Sequence, residues 1–231
     1  MTSQVPIAPS PAANRPVSTW VRLGFWISIL VSIAVVLRRL IAFIHPSQSG
    51  PPDMVQLDAA FRSHELVTVF HIVPALLFVA VTPLVLVTEN GRHDWLERLM
   101  YPLGLIVGIT AYAMSAWAVG GWIERAAVFV FNSLFLYQLG KAFALRRKND
   151  DLKKRIALLR SVAILLGIAT TRPVMGIFFA TSRLTHLTPQ DFFGYAFWIG
   201  FTINTIAVEI WLRARYRDVR QFGLKSPRPA G

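Results

Sequence analysis

Arg172 and Pro173 stand inside the run Arg160 to Gly176, whose other side chains are mostly apolar. An arginine near the middle of a membrane helix costs roughly 2.5–3.5 kcal/mol on insertion scales. Such a residue needs partners, water or a ligand at its own depth, and a guanidinium favours anions. Pro173 has no backbone N–H, so the carbonyl of Ala169 goes unpaired and the local backbone is expected to be irregular. Within a bilayer, irregular backbone must be buried in protein or line a polar cavity. These two residues mark the expected site.

Helical rise puts other polar groups at a comparable level. Measured from the ends of the spans predicted below, Arg172 lies about 24 Å and Arg38 about 22 Å from the inner edge. His71 lies about 8 Å and Asn132 about 9 Å from the outer edge, with His64 and Glu65 just above His71. Four helices therefore carry a polar side chain into the outer third. His64, Thr68 and His71 are spaced i, i+4, i+7 and share one helix face. One reading is a polar stripe packed against another helix. The other is a wall of an outward-facing cavity, with Arg172 and Arg38 or Arg39 opposite and Glu65 as counter-charge. A second, inner layer holds Lys141, Arg160 and Glu209. Lys141 and Arg160 can snorkel to the inner interface, or pair with Glu209. Asn204 lies nearer the midplane, where hydrogen bonding between helices is the default role of a carboxamide. These outer residues, with Asn204 and Glu209, form the candidate ligand-binding set, and none is assigned a catalytic role.

Several chemistries are excluded by residue type. With no cysteine, the chain has no disulfide, thiolate metal site, iron–sulfur cluster or cysteine nucleophile. The histidines are His45, His64, His71, His93 and His186. Only His71 is well inside a predicted span, so a pair of facing haem ligands is not expected. A single haem would need His64 or a non-histidine ligand, and no cofactor is predicted. Zinc-protease, phosphate-loop and Gly-x-Ser-x-Gly patterns are absent. The segment Arg92-His93-Asp94-Trp95-Leu96-Glu97-Arg98 reads as a charged interfacial stretch with a tryptophan anchor.

The elements that must position these residues are membrane helices. Only 16% of the 231 residues are charged against 54% hydrophobic, and a soluble domain usually has about a quarter charged. The fold class expected is all-α, a polytopic six-helix bundle. Its spans run from about Leu23 to Ile44, Leu66 to Val87, Met100 to Ile123, Ala126 to Leu145, Ile156 to Ala180 and Phe192 to Leu212. Each has 20 or more residues, enough for a hydrocarbon core of about 30 Å. Glu124-Arg125 is taken as the short link of a hairpin between the third and fourth. Residues 1–19, with four prolines, form an expected disordered tail. Residues 20–213 form the membrane domain and 214–231 a basic tail. Of 24 Lys and Arg, 16 fall on the side holding both termini and 5 on the other, which predicts a plasma (inner) membrane protein with both termini cytoplasmic. The net charge of +12 is therefore assigned to lipid headgroups as partners, and no nucleic acid is expected. Gly104-x-x-x-Gly108 matches a small-residue helix contact, which serves either packing within the chain or an oligomer.

Residues 60–215 resemble a bacterial family of multi-pass membrane proteins known as domain of unknown function 2306. The resemblance rests on His71, on His93-Asp94-Trp95-Leu96-Glu97-Arg98, and on Lys154-Arg155 followed by Arg160-Ser161 and Arg172. Asn204 and Glu209 complete it. Lys154 stands where relatives carry histidine, Asp94 where they carry arginine and Glu97 where they carry glycine. The resemblance implies that a metal or haem held by those histidines is lost here, and it implies no activity. The function expected is a non-enzymatic protein whose outer cavity binds or passes a small anionic solute. Two other classes compete: a membrane redox or cofactor protein that moves protons through His71 and Glu65, and a structural or assembly partner without a ligand.

Overall fold

The computed structural model describes residues 18–45, 55, 58–59, 61–87 and 94–223. The expected tail through residue 17, the loop residues Arg92 and His93, and residues 224–231 lie outside the described residues. Among the described residues there is no strand. Helix α1 is Thr19–Ile44, α2 Glu65–Val87, α3 Asp94–Ser115 and α4 Gly121–Arg147. Helix α5 is Asp151–Leu165, α6 Gly167–Thr185 and α7 Pro189–Gly223. Five stretches are long and apolar enough to cross a membrane: α1, α2, α4, the α5–α6 pair over Asp151–Ser182, and α7 over Pro189–Tyr216. Their outward faces carry Leu30, Leu66, Ile177 and Ile210, all well exposed. Apolar side chains exposed in this way are what lipid covers.

The ends of these helices are specified locally. Asp150 caps α5 by accepting a hydrogen bond from the Lys153 N–H at 3.2 Å, and Lys153 Nζ at 2.7 Å holds the carboxyl below its ordinary range. Arg146 and Arg147 occupy the last turn of α4, where cations favour the carbonyl end of the dipole. Arg155 donates to the Leu86 carbonyl at 3.0 Å, closing the end of α2. Glu97 ties α3 to the other helices at this end through Lys154 at 3.1 Å, and Asp94 does so through Arg146 at 2.5 Å.

Helix α4 is the hub, packing on α3, α5 and α7, while α2 pairs with α3 and α6 with α7. Phe78, Met100, Phe135, Leu139 and Ala142 are fully or nearly fully buried between them. Gly104 and Gly108 face α4: a methyl at Gly104 would come within 2.6 Å of Leu139, and one at Gly108 would collide with Leu136. That small-residue face is filled by the chain itself. Helix α1 is more loosely held, against α2 and α6, with only Ile29 and Ser32 buried.

Two predicted spans differ from the helices observed. The third span, Met100 to Ile123, is not one helix. Helix α3 stops at Ser115, residues 116–120 turn, and Gly121 adopts φ +57° at the start of α4. Glu124 and Arg125 are consequently inside the first turn of α4 and are not the link. The fifth span, Ile156 to Ala180, is two helices parted at Leu166. The irregular backbone expected at Pro173 falls seven residues earlier, about two turns, and Pro173 sits inside a continuous α6. The basic tail is helical as far as Gly223, with a kink at Tyr216.

Candidate functional site

A cavity of about 240 Å³ lies between the helices. Most of its wall is apolar, with Ile72 and Val79 from α2, Phe131 and Phe135 from α4, Ile164 from α5 and Phe201 from α7. Its charged lining residues are Arg39, Glu124 and Arg172. A largely apolar pocket with a few placed polar groups is the usual build of a small-molecule site.

Arg172 projects from the second turn of α6. Its only hydrogen-bond partner shown is the Met175 sulfur, 3.6 Å from Nη1, a weak acceptor. Its Nε is buried and meets no hydrogen-bond partner among the described residues. A buried charged donor without an acceptor carries the full cost of its desolvation, about 1–3 kcal/mol or more. Arg39 reaches the cavity from α1. It is bound to Asp58 at 2.5 Å, and its guanidinium lies 4.0 Å from the centre of the Phe61 ring. One edge of this cation is therefore already neutralised.

Glu124 is the carboxylate that sequence reading missed. It is 9% exposed and accepts a hydrogen bond from the Gly120 N–H at 2.7 Å, inside the first turn of α4. The positive end of the helix dipole favours an anion there. Helix α7 presses on this turn so closely that a methyl at Gly120 would lie 2.5 Å from the Gly194 nitrogen. Glu124 is the carboxylate whose charge acts on Arg172, while Arg39 and Arg38 repel it. Taking Glu124 as part of a polar link removed it from the candidate set. A glutamate three residues after a Gly-Gly pair, ahead of an apolar run, was the available signal.

His71 and Asn132 line the cavity. Thr110 donates its one hydroxyl proton to the Ile106 carbonyl at 2.7 Å. Its oxygen also lies at hydrogen-bond distance, 3.0 Å, from His71 Nδ1. Asn132 donates to the Gly108 carbonyl at 2.8 Å. Both are partly satisfied within the protein.

The remaining candidates are used elsewhere. Arg38 faces outward, 3.3 Å from Asp58. His64 stacks on Trp117 with ring centres 3.9 Å apart, so of the His64, Thr68, His71 stripe the first member is packing and the other two line the cavity. Glu65 is exposed in the first turn of α2 and does not oppose Arg172. Asn204 donates to the Ala163 carbonyl at 2.9 Å and accepts from Thr170 Oγ1 at 2.9 Å, binding α7 across the break between α5 and α6. Glu209 pairs with Arg160 at 2.9 Å and Arg213 at 3.0 Å, while Lys141 is exposed on α4. Among the described residues no three histidine or acidic side chains cluster as metal ligands. No family model, curated protein or solved structure matches this chain.

Proposed function

We propose that this chain is a six-span inner-membrane protein, with both termini cytoplasmic, that binds or passes a small anionic solute in the cavity around Arg172. The sixth crossing in this reading is α3. Its 22 residues reach about 33 Å at helical rise, and those beyond the first turn about 27 Å, within the range of lengths that cross a hydrocarbon core. Its first turn carries Asp94 and Glu97, which belong in the inner headgroup layer beside Arg146 and Lys154. The excess of Lys and Arg on that side supports the orientation. Lipid headgroups remain the proposed partners of the basic surface. Membership of the family known as domain of unknown function 2306 is part of the same proposal, and rests on the spacing of His71, Arg160, Arg172, Asn204 and Glu209.

The observation that carries the reading is the Arg172 guanidinium, whose buried Nε has no acceptor among the described residues at the edge of a cavity. An anion entering the cavity supplies that acceptor and offsets the repulsion from Arg39. A redox role for His71 and Glu65 has less support, because only His71 lines the cavity. A native mass spectrum of protein released from neutral detergent micelles tests the proposal. Wild-type protein exposed to small organic and inorganic anions should carry an added mass that Arg172→Leu lacks and Arg172→Lys partly retains. Added mass unchanged in Arg172→Leu would sink the assignment.

A further inference from the structure

The polar and apolar parts of the cavity are segregated along its length. Its lining runs from Glu124 to Phe135 on α4 and from Thr68 to Val79 on α2. Each stretch is twelve residues, its ends about 16 Å apart at helical rise. A cavity of about 240 Å³ stretched over that distance is narrow. Its charges gather at one end, where Arg39, Glu124 and Arg172 act on one another. Towards the other end the wall is Val79, Phe135 and Ile164, with no titratable group. Between the two, His71 Nδ1 and Asn132 Nδ2 already bond Thr110 and the Gly108 carbonyl, and the Ser32 hydroxyl is buried in the wall without a partner among the described residues.

The charge balance is equally specific. Arg38, Arg39 and Asp58 form one ion-paired group, and Glu124 and Arg172 line the same cavity. With Glu124 ionised, the three charged residues that line the cavity, Arg39, Glu124 and Arg172, carry one net positive charge. A single negative charge neutralises it, and a second would be left unmatched. A fully hydrophilic ion would fill only the charged end and leave the apolar lobe empty, a lobe of the kind that stays dry and takes hydrocarbon.

Resting on the anion reading above, we infer that the ligand is a single-chain amphipathic monoanion, a carboxylate with its head at Arg172 and Arg39 and its hydrocarbon tail laid between α2 and α4 toward Val79 and Phe135. The head supplies the acceptor that Arg172 lacks. The tail occupies the dry lobe, and each methylene it buries should tighten binding about fourfold, the equivalent of about 0.8 kcal/mol.

The test uses the full chain in neutral phosphatidylcholine nanodiscs, with ligand-induced thermal stabilisation as readout. The probes are acetate, butyrate, hexanoate, octanoate, decanoate, decan-1-ol and a single-chain lysophosphatidic acid. Affinity should climb about fourfold per methylene along the carboxylates, then flatten once the chain outgrows the lobe. Decan-1-ol should bind at least tenfold more weakly than decanoate. Arg172→Gln should bring decanoate down to the level of the alcohol. Ala75→Phe, which fills the lobe without touching the charges, should abolish decanoate stabilisation and spare butyrate. Stabilisation by decanoate but not by lysophosphatidic acid assigns the free carboxylate; the reverse result overturns the carboxylate head. Equal binding of acetate and decanoate would overturn the amphipathic inference and leave the anion reading standing. Equal binding of decanoate and decan-1-ol, or no binding of any anion, would remove both.

Discussion

Arg172 and Glu124 are the two residues on which the site turns, and they differ in how visible they are before folding. Arg172 advertises itself by a charge within an apolar run, and that signal led to the cavity. Depth along a helix follows from counting residues, so His71, Asn132 and Arg39 could be placed at its level as well. Direction around the axis is harder to read. Successive residues point about 100° apart, and that angle separates Arg39, in the cavity, from Arg38, 48% exposed outside it. Glu65 and His64 fail for the same reason. Glu124 carries a prediction of its own. Glutamine at this position can still accept from the Gly120 N–H at 2.7 Å, so the helix start survives while the negative charge is lost. Removing one unit charge about 10 Å from a bound anion is worth on the order of 1–2 kcal/mol at an effective dielectric of about 20. Glu124→Gln should therefore bind a small anion roughly ten times more tightly in an equilibrium titration. Weaker binding would mean that Glu124 orders Arg172 rather than opposing the ligand.

At the scale of elements, the junction of α5 and α6 shows what hydropathy conceals. The run from Ile156 to Ala180 is apolar throughout its centre, and nothing in its period separates a straight helix from a broken one. The break at Leu166 becomes explicable only with α7 in place. Asn204 supplies an amide donor to the Ala163 carbonyl and an acceptor to Thr170, one partner on each side of the interruption. Hydrogen bonds between membrane helices average about 0.6 kcal/mol in double-mutant cycles, and a stranded buried carbonyl adds about 1–3 kcal/mol. Asn204→Leu should lower unfolding stability by roughly 1–2 kcal/mol, measured by denaturation in mixed micelles, while leaving anion affinity within twofold. A large loss of affinity without loss of stability would place Asn204 in the site after all. The hairpin of α3 and α4 has a similar history. Ile123, Trp122 and Ala118 look like the continuation of a span, yet the Gly120-Gly121 pair permits a turn with φ +57° at Gly121, and Arg125 closes it by donating to the Ala116 carbonyl at 2.7 Å. Composition alone gives a polar Glu-Arg pair priority over two glycines as the turn, and the backbone favours the glycines.

For the whole molecule, the class of fold was legible because a bilayer leaves few solutions: every backbone group must bond internally, and helices do so within one segment. The number of crossings is less tightly fixed, and it depends on α3. Its apolar stretch is shortened by Asp94, Glu97 and Arg98 at one end and Thr110, Tyr112 and Ser115 at the other. If α3 crosses, α4 runs inward and Lys148 lies in the cytoplasm, while Gln190, at the start of α7, lies outside. If the bundle is inverted, both assignments reverse. The absence of native cysteine makes the two cases separable without background. Lys148 and Gln190 are both exposed, so Lys148→Cys and Gln190→Cys should fold as the parent does. In intact cells a membrane-impermeant maleimide should label Gln190→Cys and spare Lys148→Cys until the membrane is opened. The opposite pattern would invert the whole bundle, because Arg39 near the end of α1 and Glu124 at the start of α4 line one cavity, and would turn the mouth of the Arg172 cavity toward the cytoplasm.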